Sequence, residues 1–507
     1  MDFFKKYSAL MLLLVGCGTF TGCSDDDPEP PVNNGNNDDP QVAVSDEIFY
    51  ANCFGKDVLS QYYYWCDEIA ADLRQWDEET NEDPIGTVDR IKYHEGDKYI
   101  DKWTMMTDDV ASFNSSMEGV STTYGWNLTV YQISSDDNLC FGVVNFVYAG
   151  SPAEKAGLKR GDILAEMDGE YITTDNYTDL YYAPSLTVTL GELEGNTIYA
   201  RGREVSLSAV TMYEDPVLCD SVYEFGGKKV GYLAYSSFDM QSIGKLVEIG
   251  KKFKAEGVSE VVLDLRYNGG GYVITEQVLA SLFAPQASVS AGSLFESEVY
   301  NDYLTALYEA NGISLDTYLA TEFEYNGLDG QTHSISTKDA NVSPLRVYGI
   351  ISGNTASASE ALLGGLMPYV EVRTVGTQSY GKYCTGFILG GEDWYGRNCP
   401  DEISNWGIYV MVSIYENSAG ETPCMPDGIQ PDVEMADDQI PSYALGDVDE
   451  PLLRAALTEA GRTYASSQAV SRGARPPFTM LPAPRKASFG KRILPLPSGS
   501  CGRVPVR

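Results

Sequence analysis

The chain has 507 residues, of which 73 are acidic and 35 are basic, so its formal net charge is −38. Nucleic-acid binding draws its affinity from clustered Lys and Arg, and this charge therefore argues against a DNA or RNA partner. With 43% hydrophobic residues and a length of several typical domains of about 150 residues, the chain can form more than one buried core.

The sequence contains two histidines, His94 and His333, which lie far apart in polar surroundings. A zinc site of the HExxH type needs two histidines one helical turn apart, so this class of metalloenzyme is excluded. A Ser-His-Asp triad would have to use one of these two residues.

Residues 1–23 have the pattern of a lipoprotein signal peptide. Two lysines precede an apolar run at residues 9–15, which is too short to span a bilayer, and small residues then lead to a cysteine. Cys17 and Cys23 could each accept a lipid, and Cys23 is preferred because the Ser-Asp-Asp-Asp stretch after it resembles lipoproteins of the Bacteroides type. We therefore expect a cell-envelope protein, anchored in the outer membrane and facing the periplasm or the surface. An ordinary cleaved signal peptide is the alternative.

Two further segments have compositions that cannot form a core. Residues 24–46 are acidic and rich in Pro, Asn and Gly, which predicts a disordered tether. Residues 466–507 are proline-rich and basic, without a single acidic residue, and we expect a disordered tail there.

Helical patterns follow the tether and precede the tail. Residues 47–118 form a predicted helical N-terminal region. Aromatic and aliphatic residues recur at helical intervals over residues 47–72, which predicts one helix there with its aromatic residues in the core. Residues 441–465 contain the last predicted helix of the chain.

The stretch after Cys140 carries several local structure signals. Ser151 and Glu154 form a capping-box pattern with Pro at the first helical position, and Gly157 is placed to end that short helix. Asp168 and Gly169 form a strong hairpin-turn signal.

The segment with these signals, GVVNFVYAGSPAEKAGLKRGDILAEMDGEYI, resembles a PDZ domain, and the similarity extends over residues 119–212. The resemblance implies a module that binds an extended peptide as an added strand and holds its terminal carboxylate on backbone amides. The matching loop contains Gly125, Trp126, Asn127 and Leu128, which are the candidate peptide-binding residues. This loop departs from the usual Gly-hydrophobic-Gly pattern, so a β-rich spacer that binds no peptide is the alternative.

Strand-like and helix-like segments alternate from residue 228 onward. The strand-like segments VGYLAYSSF, VVLDLR, RVYGIIS and VEVRTVG are separated by helical patterns, which favours a covered, mainly parallel sheet. A polar, Tyr-rich insertion at residues 285–345 interrupts the pattern. We therefore expect a mixed α/β core over residues 216–440, within a multidomain α+β and α/β chain.

The loop after the last of these strands allows two kinds of chemistry. GTQSYGK fits the phosphate-binding pattern GxxxxGK, but the next residue is Tyr383 where Ser or Thr is required, and a strand-like segment follows where a helix is required. Both failures argue against nucleotide hydrolysis. Alternatively, Lys382 could be a base, since a buried lysine with a lowered pKa can take the proton of a serine hydroxyl.

Position identifies the serine that would pair with this lysine. Ser357 lies at the start of the helix after RVYGIIS, where unpaired amides and the helix dipole stabilise an anion. The glycine loop after VVLDLR offers further amides, as an oxyanion hole requires.

Five segments, VGYLAYSSF, VVLDLRYNGGG, NTASASEALLGG, TVGTQSYGK and PDGIQPDV, occur in the order found in the C-terminal processing (tail-specific) peptidases. Residues 216–435 closely resemble this family of serine endopeptidases, which combine a PDZ domain with a catalytic core. The resemblance implies a Ser357/Lys382 dyad, an oxyanion hole formed by the amides of Gly270 and Ala358, and no metal or cofactor. Many family members carry a glutamine four residues after the lysine, but Gly386 stands here, so the group that orients the lysine is open.

Two functional hypotheses follow. The first is a serine endopeptidase of the C-terminal processing type that cleaves polypeptides outside the cytoplasm, with the PDZ-like domain engaging substrate C-termini and the membrane contacted only through the lipid anchor. The alternative is a catalytically inactive lipoprotein that binds peptide or glycan, in which Ser357 is a packing residue and Lys382 a solvated one. Lys382 distinguishes them, because only the enzyme needs its amine neutral.

Overall fold

The computed structural model describes residues 43–111, 120–195, 197–464 and 478–482. The predicted signal peptide, the lipidation site Cys23 and most of the predicted tether and tail lie outside these residues. Within the described ranges, no helix combines the length and the apolar character needed to cross a bilayer.

The N-terminal region contains three helices and three short strands within the described residues. They are α1 (Asp46–Tyr62), α2 (Ala70–Gln75), α3 (Pro84–Ile91), β1 (His94–Glu95), β2 (Lys98–Tyr99) and β3 (Met105–Thr107). The prediction of one helix over residues 47–72 is wrong, because Tyr63 is extended and buries its ring, with its hydroxyl donating to Asp101 Oδ2 at 2.8 Å. Phe49, Phe54 and Tyr62 of α1 are buried, which confirms the prediction that the aromatic residues of this helix belong mainly to the core.

The PDZ-like region contains a main sheet, a two-stranded sheet and two short helices. Its elements are β4 (Val120–Thr123), β5 (Trp126–Gln132), β6 (Cys140–Val147), α4 (Pro152–Lys155), β7 (Ile163–Met167), β8 (Glu170–Tyr171), α5 (Asp179–Tyr182), β9 (Ser185–Glu194), β10 (Thr197–Ser208) and β11 (Val210–Tyr213). The main sheet has the order β10-β9-β7-β6-β5, and β4 pairs with β11.

The local predictions for this region are confirmed. Ser151 Oγ accepts from the Glu154 amide at 3.1 Å, and Gly157 ends α4 with a φ of +74°. Asp168 and Gly169 both have positive φ, as a type I′ hairpin turn requires.

The mixed α/β core follows in chain order. Its elements are β12 (Val217–Phe225), β13 (Lys228–Tyr235), α6 (Ile243–Glu256), β14 (Glu260–Asp264), α7 (Val273–Phe283), α8 (Gln286–Ala291), β15 (Leu294–Tyr300), α9 (Asp302–Ala310), β16 (Asp316–Tyr318), β17 (Glu322–Asn326), β18 (Thr332–Ser336), β19 (Arg346–Ile351), α10 (Ala358–Leu366), β20 (Glu371–Gly376), β21 (Cys384–Gly390), α11 (Gly391–Tyr395), β22 (Gly407–Asn417), β23 (Val433–Glu434) and α12 (Pro451–Glu459).

The first sheet of the core has the order β12-β13-β14-β19-β20-β23 and is parallel apart from the β12/β13 pair. Alternate residues of its strands pack against α12 on one face and against α6, α7 and α10 on the other. The predicted covered, mainly parallel sheet is therefore confirmed.

A second sheet has the order β16-β15-β22-β21, and β3 also pairs with β22. Its strands β15 and β16 come from the predicted insertion 285–345, and β3 comes from the region predicted to be helical. The insertion therefore supplies part of the core, because β15 lies hydrogen-bonded beside β22 along five residue pairs.

The loop after β14 is fixed by a buried ion cluster. Arg266, which is 1% exposed, donates to Asp264 and to Glu450. Arg160 of the PDZ-like region donates to the hydroxyl of Tyr267, the next residue of this loop. The PDZ-like region is thus bound directly to the loop that leads to Gly270.

The last described strand is β24 (Thr479–Met480), which pairs antiparallel with β5. The prediction that the whole of 466–507 is disordered is wrong for residues 478–482. The reason is apolar burial combined with main-chain pairing: the Phe478 ring lies 4.9 Å from that of Phe141, and the Leu481 amide donates to the Val130 carbonyl at 2.8 Å.

Candidate functional site

Ser357 is the N-cap residue of α10, as predicted, and is 2% exposed. Its φ is +57° and its ψ is −123°, a conformation that costs energy for any residue with a Cβ. Ala358 occupies the first helical position, so its amide has no intrahelical acceptor. The turn therefore presents a hydroxyl next to a helix N-terminus.

Gly270 lies directly against this turn. A Cβ at Gly270, whose φ is +105°, would lie 2.7 Å from the Cβ of Ser357 and 3.0 Å from the Ala358 nitrogen, so a glycine is required there. The structure thus brings the two predicted oxyanion-hole residues together at Ser357. The Gly270 amide donates to Asn268 Oδ1 at 2.9 Å.

Lys382 lies on the loop between β20 and β21 and is also 2% exposed. Burial lowers the pKa of its amine to about 8, and the smaller effects of Cys384, Asp101 and Glu360 act in the opposite direction. Its Nζ donates to the hydroxyl of Tyr409 on β22 at 3.1 Å. Tyr409 could not be predicted from the sequence, because it lies 27 residues further along the chain and no local pattern marks it.

The Glu360 carboxylate holds the serine turn and the lysine loop together. Its Oε2 accepts from the amides of Ser357 at 3.0 Å and Lys382 at 2.8 Å. Its Oε1 accepts from the Gly381 amide at 2.7 Å and from the Ser379 hydroxyl. Burial raises the pKa of Glu360, whereas these four donors favour its ionised form.

Glu360 was not among the predicted site residues, although half of its hydrogen-bonding pattern has a local sequence signal. Ser357 and Glu360 are three residues apart, which is the spacing of a capping box. The contact with the lysine loop depends on the parallel arrangement of β19 and β20 and has no local signature.

A small cavity adjoins Ser357. It is lined by Val273, Glu276, Glu296, Ser357, Ala358, Ala361, Thr385 and Tyr415. Its volume of about 10 Å³ is close to the space that one water molecule needs. A substrate side chain can therefore enter only if the walls of the cavity move apart.

The predicted peptide-binding loop lies at the start of β5. The Gly125 amide donates to Thr123 Oγ1 at 2.9 Å, and the side chains of Trp126 and Leu128 belong to the core of the PDZ-like region. The side-chain oxygen of Asn127 accepts from Asn145 at 2.8 Å. These contacts fix the shape of the loop, and peptide binding there stays a prediction.

Comparison with known families gives two matches. Residues 229–435 match the family model of peptidase family S41, and residues 143–183 match that of a PDZ domain. The S41 match lies within the mixed α/β core, and the PDZ match lies within the PDZ-like region.

Two curated relatives are C-terminal processing enzymes. The chain is 24% identical over 305 residues to the chloroplastic C-terminal processing peptidase of Tetradesmus obliquus, covering 58% of this chain and 56% of that protein. It is 27% identical over 316 residues to the carboxyl-terminal-processing protease of a Picosynechococcus species, covering 61% of this chain and 64% of that protein. The chain thus spans less than two thirds of the length of either relative.

Among solved structures, a Bacteroides fragilis protein assigned to the S41 proteases has a TM-score of 0.60 at 22% identity, and the match covers 81% of this chain and 98% of that chain. This similarity shows the fold, a mixed α/β structure with a PDZ domain and an S41 protease core. The matches therefore show that residues 229–435 resemble an S41 peptidase and that residues 143–183 resemble a PDZ domain.

Proposed function

We propose that the chain is a serine endopeptidase of the C-terminal processing type, with Ser357 as nucleophile and Lys382 as general base. The observation that carries this proposal is the buried lysine, whose pKa is lowered to about 8 and whose backbone is held by the same carboxylate as that of Ser357. A solvated turn lysine would have neither property, which argues against the inactive binding protein.

Acylation follows from these positions. The neutral Lys382 amine takes the proton of the Ser357 hydroxyl as Oγ attacks the substrate carbonyl carbon. The oxyanion accepts hydrogen bonds from the Ala358 amide and from the Gly270 amide, which exchanges Asn268 Oδ1 for the oxyanion. The Lys382 ammonium then gives its proton to the leaving amine, and the C–N bond breaks.

Deacylation uses the same residues, with water as the nucleophile. Lys382, neutral again, takes a proton from a water molecule that attacks the acyl carbon. The second tetrahedral intermediate collapses, the proton returns to Ser357 Oγ, and the new carboxyl terminus leaves. Every proton transfer uses the same amine, so the chemistry needs no further titrating group.

The substrate class and location are part of the proposal. The PDZ-like region engages the C-termini of polypeptide substrates, and Cys23 anchors the enzyme in the cell envelope as its only membrane contact. The small closed cavity beside Ser357 is consistent with an enzyme that opens when substrate binds.

The dyad predicts the effect of two alanine substitutions on cleavage of an unstructured reporter protein. Ser357→Ala and Lys382→Ala should each lower kcat/KM by about 10³-fold or more, because neither half of the dyad acts alone. Ser404→Ala and Lys251→Ala, at exposed positions, are matched controls that should leave the rate unchanged. A wild-type protein that binds peptide termini but cleaves nothing would support the inactive binding lipoprotein instead.

The lysine predicts the pH dependence of kcat/KM. Only the neutral amine accepts a proton, so the rate should rise about tenfold per pH unit below a midpoint near the pKa of about 8 and level off above it. The measurement is a pH–rate profile over a range in which circular dichroism shows the fold unchanged. A profile that is flat through this midpoint would contradict the role of Lys382.

A further inference from the structure

The residue at position 386 makes room for a neighbouring ring. A Cβ at Gly386 would lie 2.7 Å from Cε2 of Tyr409 and 2.4 Å from Cε of Met411. β21 and β22 are paired here, with Gly386 opposite Met411 and Ile388 opposite Tyr409. The tyrosine ring therefore fills the space in which a longer side chain at position 386 would stand.

The hydroxyl of the same tyrosine contacts the lysine. Tyr409 is 1% exposed, and burial raises the pKa of its hydroxyl well above the usual value, so the group is neutral. It lies 3.1 Å from Lys382 Nζ, and the amine lies 5.2 Å from the ring centroid. A neutral hydroxyl at this distance accepts an N–H of the amine and limits its rotation.

We infer that Tyr409 is the positioning residue of Lys382, and that Gly386 is required to admit its ring. The inference rests on the proposed function, since it concerns the proposed base. It also accounts for the glycine at the position where related peptidases carry a glutamine.

The test is the rate at which a fluorophosphonate probe labels Ser357, followed by intact mass as a function of pH. Tyr409→Phe should lower the plateau rate by about 10- to 100-fold and move the midpoint to lower pH, because the ammonium loses a hydrogen-bond acceptor. Tyr395→Phe, at another buried tyrosine, is the matched control. Tyr409→Ala combined with Gly386→Gln should label faster than Tyr409→Ala alone.

The outcomes distinguish a failure of the positioning role of Tyr409 from a failure of the proposed function. If Tyr409→Phe labels at the wild-type rate with the wild-type midpoint, the positioning role is wrong while the dyad stands. If the wild-type protein is not labelled at Ser357 at any pH, the proposed function and this inference are both wrong.

A separate observation concerns the segment 478–482, here called the tail segment. Thr479 lies opposite Gln132 and Met480 opposite Tyr131 on β5, and the hydroxyl of Tyr177 donates to the Pro482 carbonyl at 3.1 Å. The tail segment runs antiparallel to β5 and therefore toward the predicted peptide-binding loop. This is the direction in which an added peptide strand presents its C-terminus to such a loop.

Side-chain contacts accompany the main-chain pairing. Phe478 is buried in a cluster with Tyr131 and Phe141, and Leu481 packs against the core of the PDZ-like region. Met480 between them is 64% exposed. An edge strand exposes unpaired main-chain groups that any extended segment can bind, and a covalently attached segment is present at high effective concentration.

We propose that the tail segment is an intramolecular ligand of the β5 edge that competes with an extended polypeptide substrate. This proposal rests on the proposed peptide-binding role of the PDZ-like region, but not on catalysis. Main-chain hydrogen bonds supply the attraction, and the aromatic and aliphatic contacts of Phe478 and Leu481 set the register.

The test uses the full chain with Ser357→Ala, so that no ligand is cleaved, and a fluorescent peptide with the sequence of residues 476–484. Phe478→Ser and Leu481→Ser should each release the tail segment and tighten peptide binding about tenfold or more, measured by anisotropy. Met480→Ser, on an exposed side chain of the same strand, should bind the peptide as weakly as the parent.

Equal peptide affinity in all four proteins would overturn the competition. Hydrogen exchange provides a second measurement on the parent alone: saturating peptide should speed exchange at the Leu481 amide. Unchanged exchange with the peptide bound would also contradict the proposal. Neither result bears on whether Ser357 is a nucleophile.

Discussion

The Glu360 carboxylate joins two loops that the chain brings together only through its parallel sheet. It accepts hydrogen bonds from the backbone of Ser357 on one side and from Gly381 and Lys382 on the other. Each buried amide that loses its acceptor costs about 1–3 kcal/mol of stability. This one side chain therefore strongly stabilises the relative position of the two loops. The strained backbone of Ser357 persists because the surrounding contacts determine it.

The site described by these contacts is closed. Ser357 and Lys382 are both buried, and the adjoining cavity has room for about one water molecule. Burial lowers the pKa of the lysine, which general-base catalysis needs, but it also separates the serine from any substrate. In the proposed mechanism, the same low-dielectric environment activates the base and requires a movement before substrate can bind.

Much of this arrangement follows from local sequence. The capping box at Ser151, the primed turn at Asp168 and the alternation of strands and helices each depend on neighbouring residues, and the structure confirms them. Ser357 could be located because a helix start after a buried strand has a short-range pattern. The loop that carries Lys382 could be located in the same way, because it follows the next strand, β20.

The features that sequence did not reveal depend on contacts between distant segments. Tyr409 contacts Lys382 from a different strand, β22. Its ring occupies the space that a side chain at position 386 would need, and only the structure reveals this contact. The end of α1 at Tyr62 reflects the burial of Tyr63 against Asp101 and not a helix-breaking residue. The pairing of residues 479–480 with β5 could not be predicted, because the proline-rich, basic composition of this segment is typical of disorder.

The most direct test of the account is the substitution Glu360→Gln. An amide retains the shape but directs an N–H toward backbone donors, so the two loops should separate. The measurement is fluorophosphonate labelling of Ser357 together with urea unfolding, with Glu324→Gln on an exposed strand as control. We predict a loss of labelling of about tenfold or more while unfolding stays cooperative. Labelling at the wild-type rate in Glu360→Gln would contradict the claim that this carboxylate holds the nucleophile and the base together.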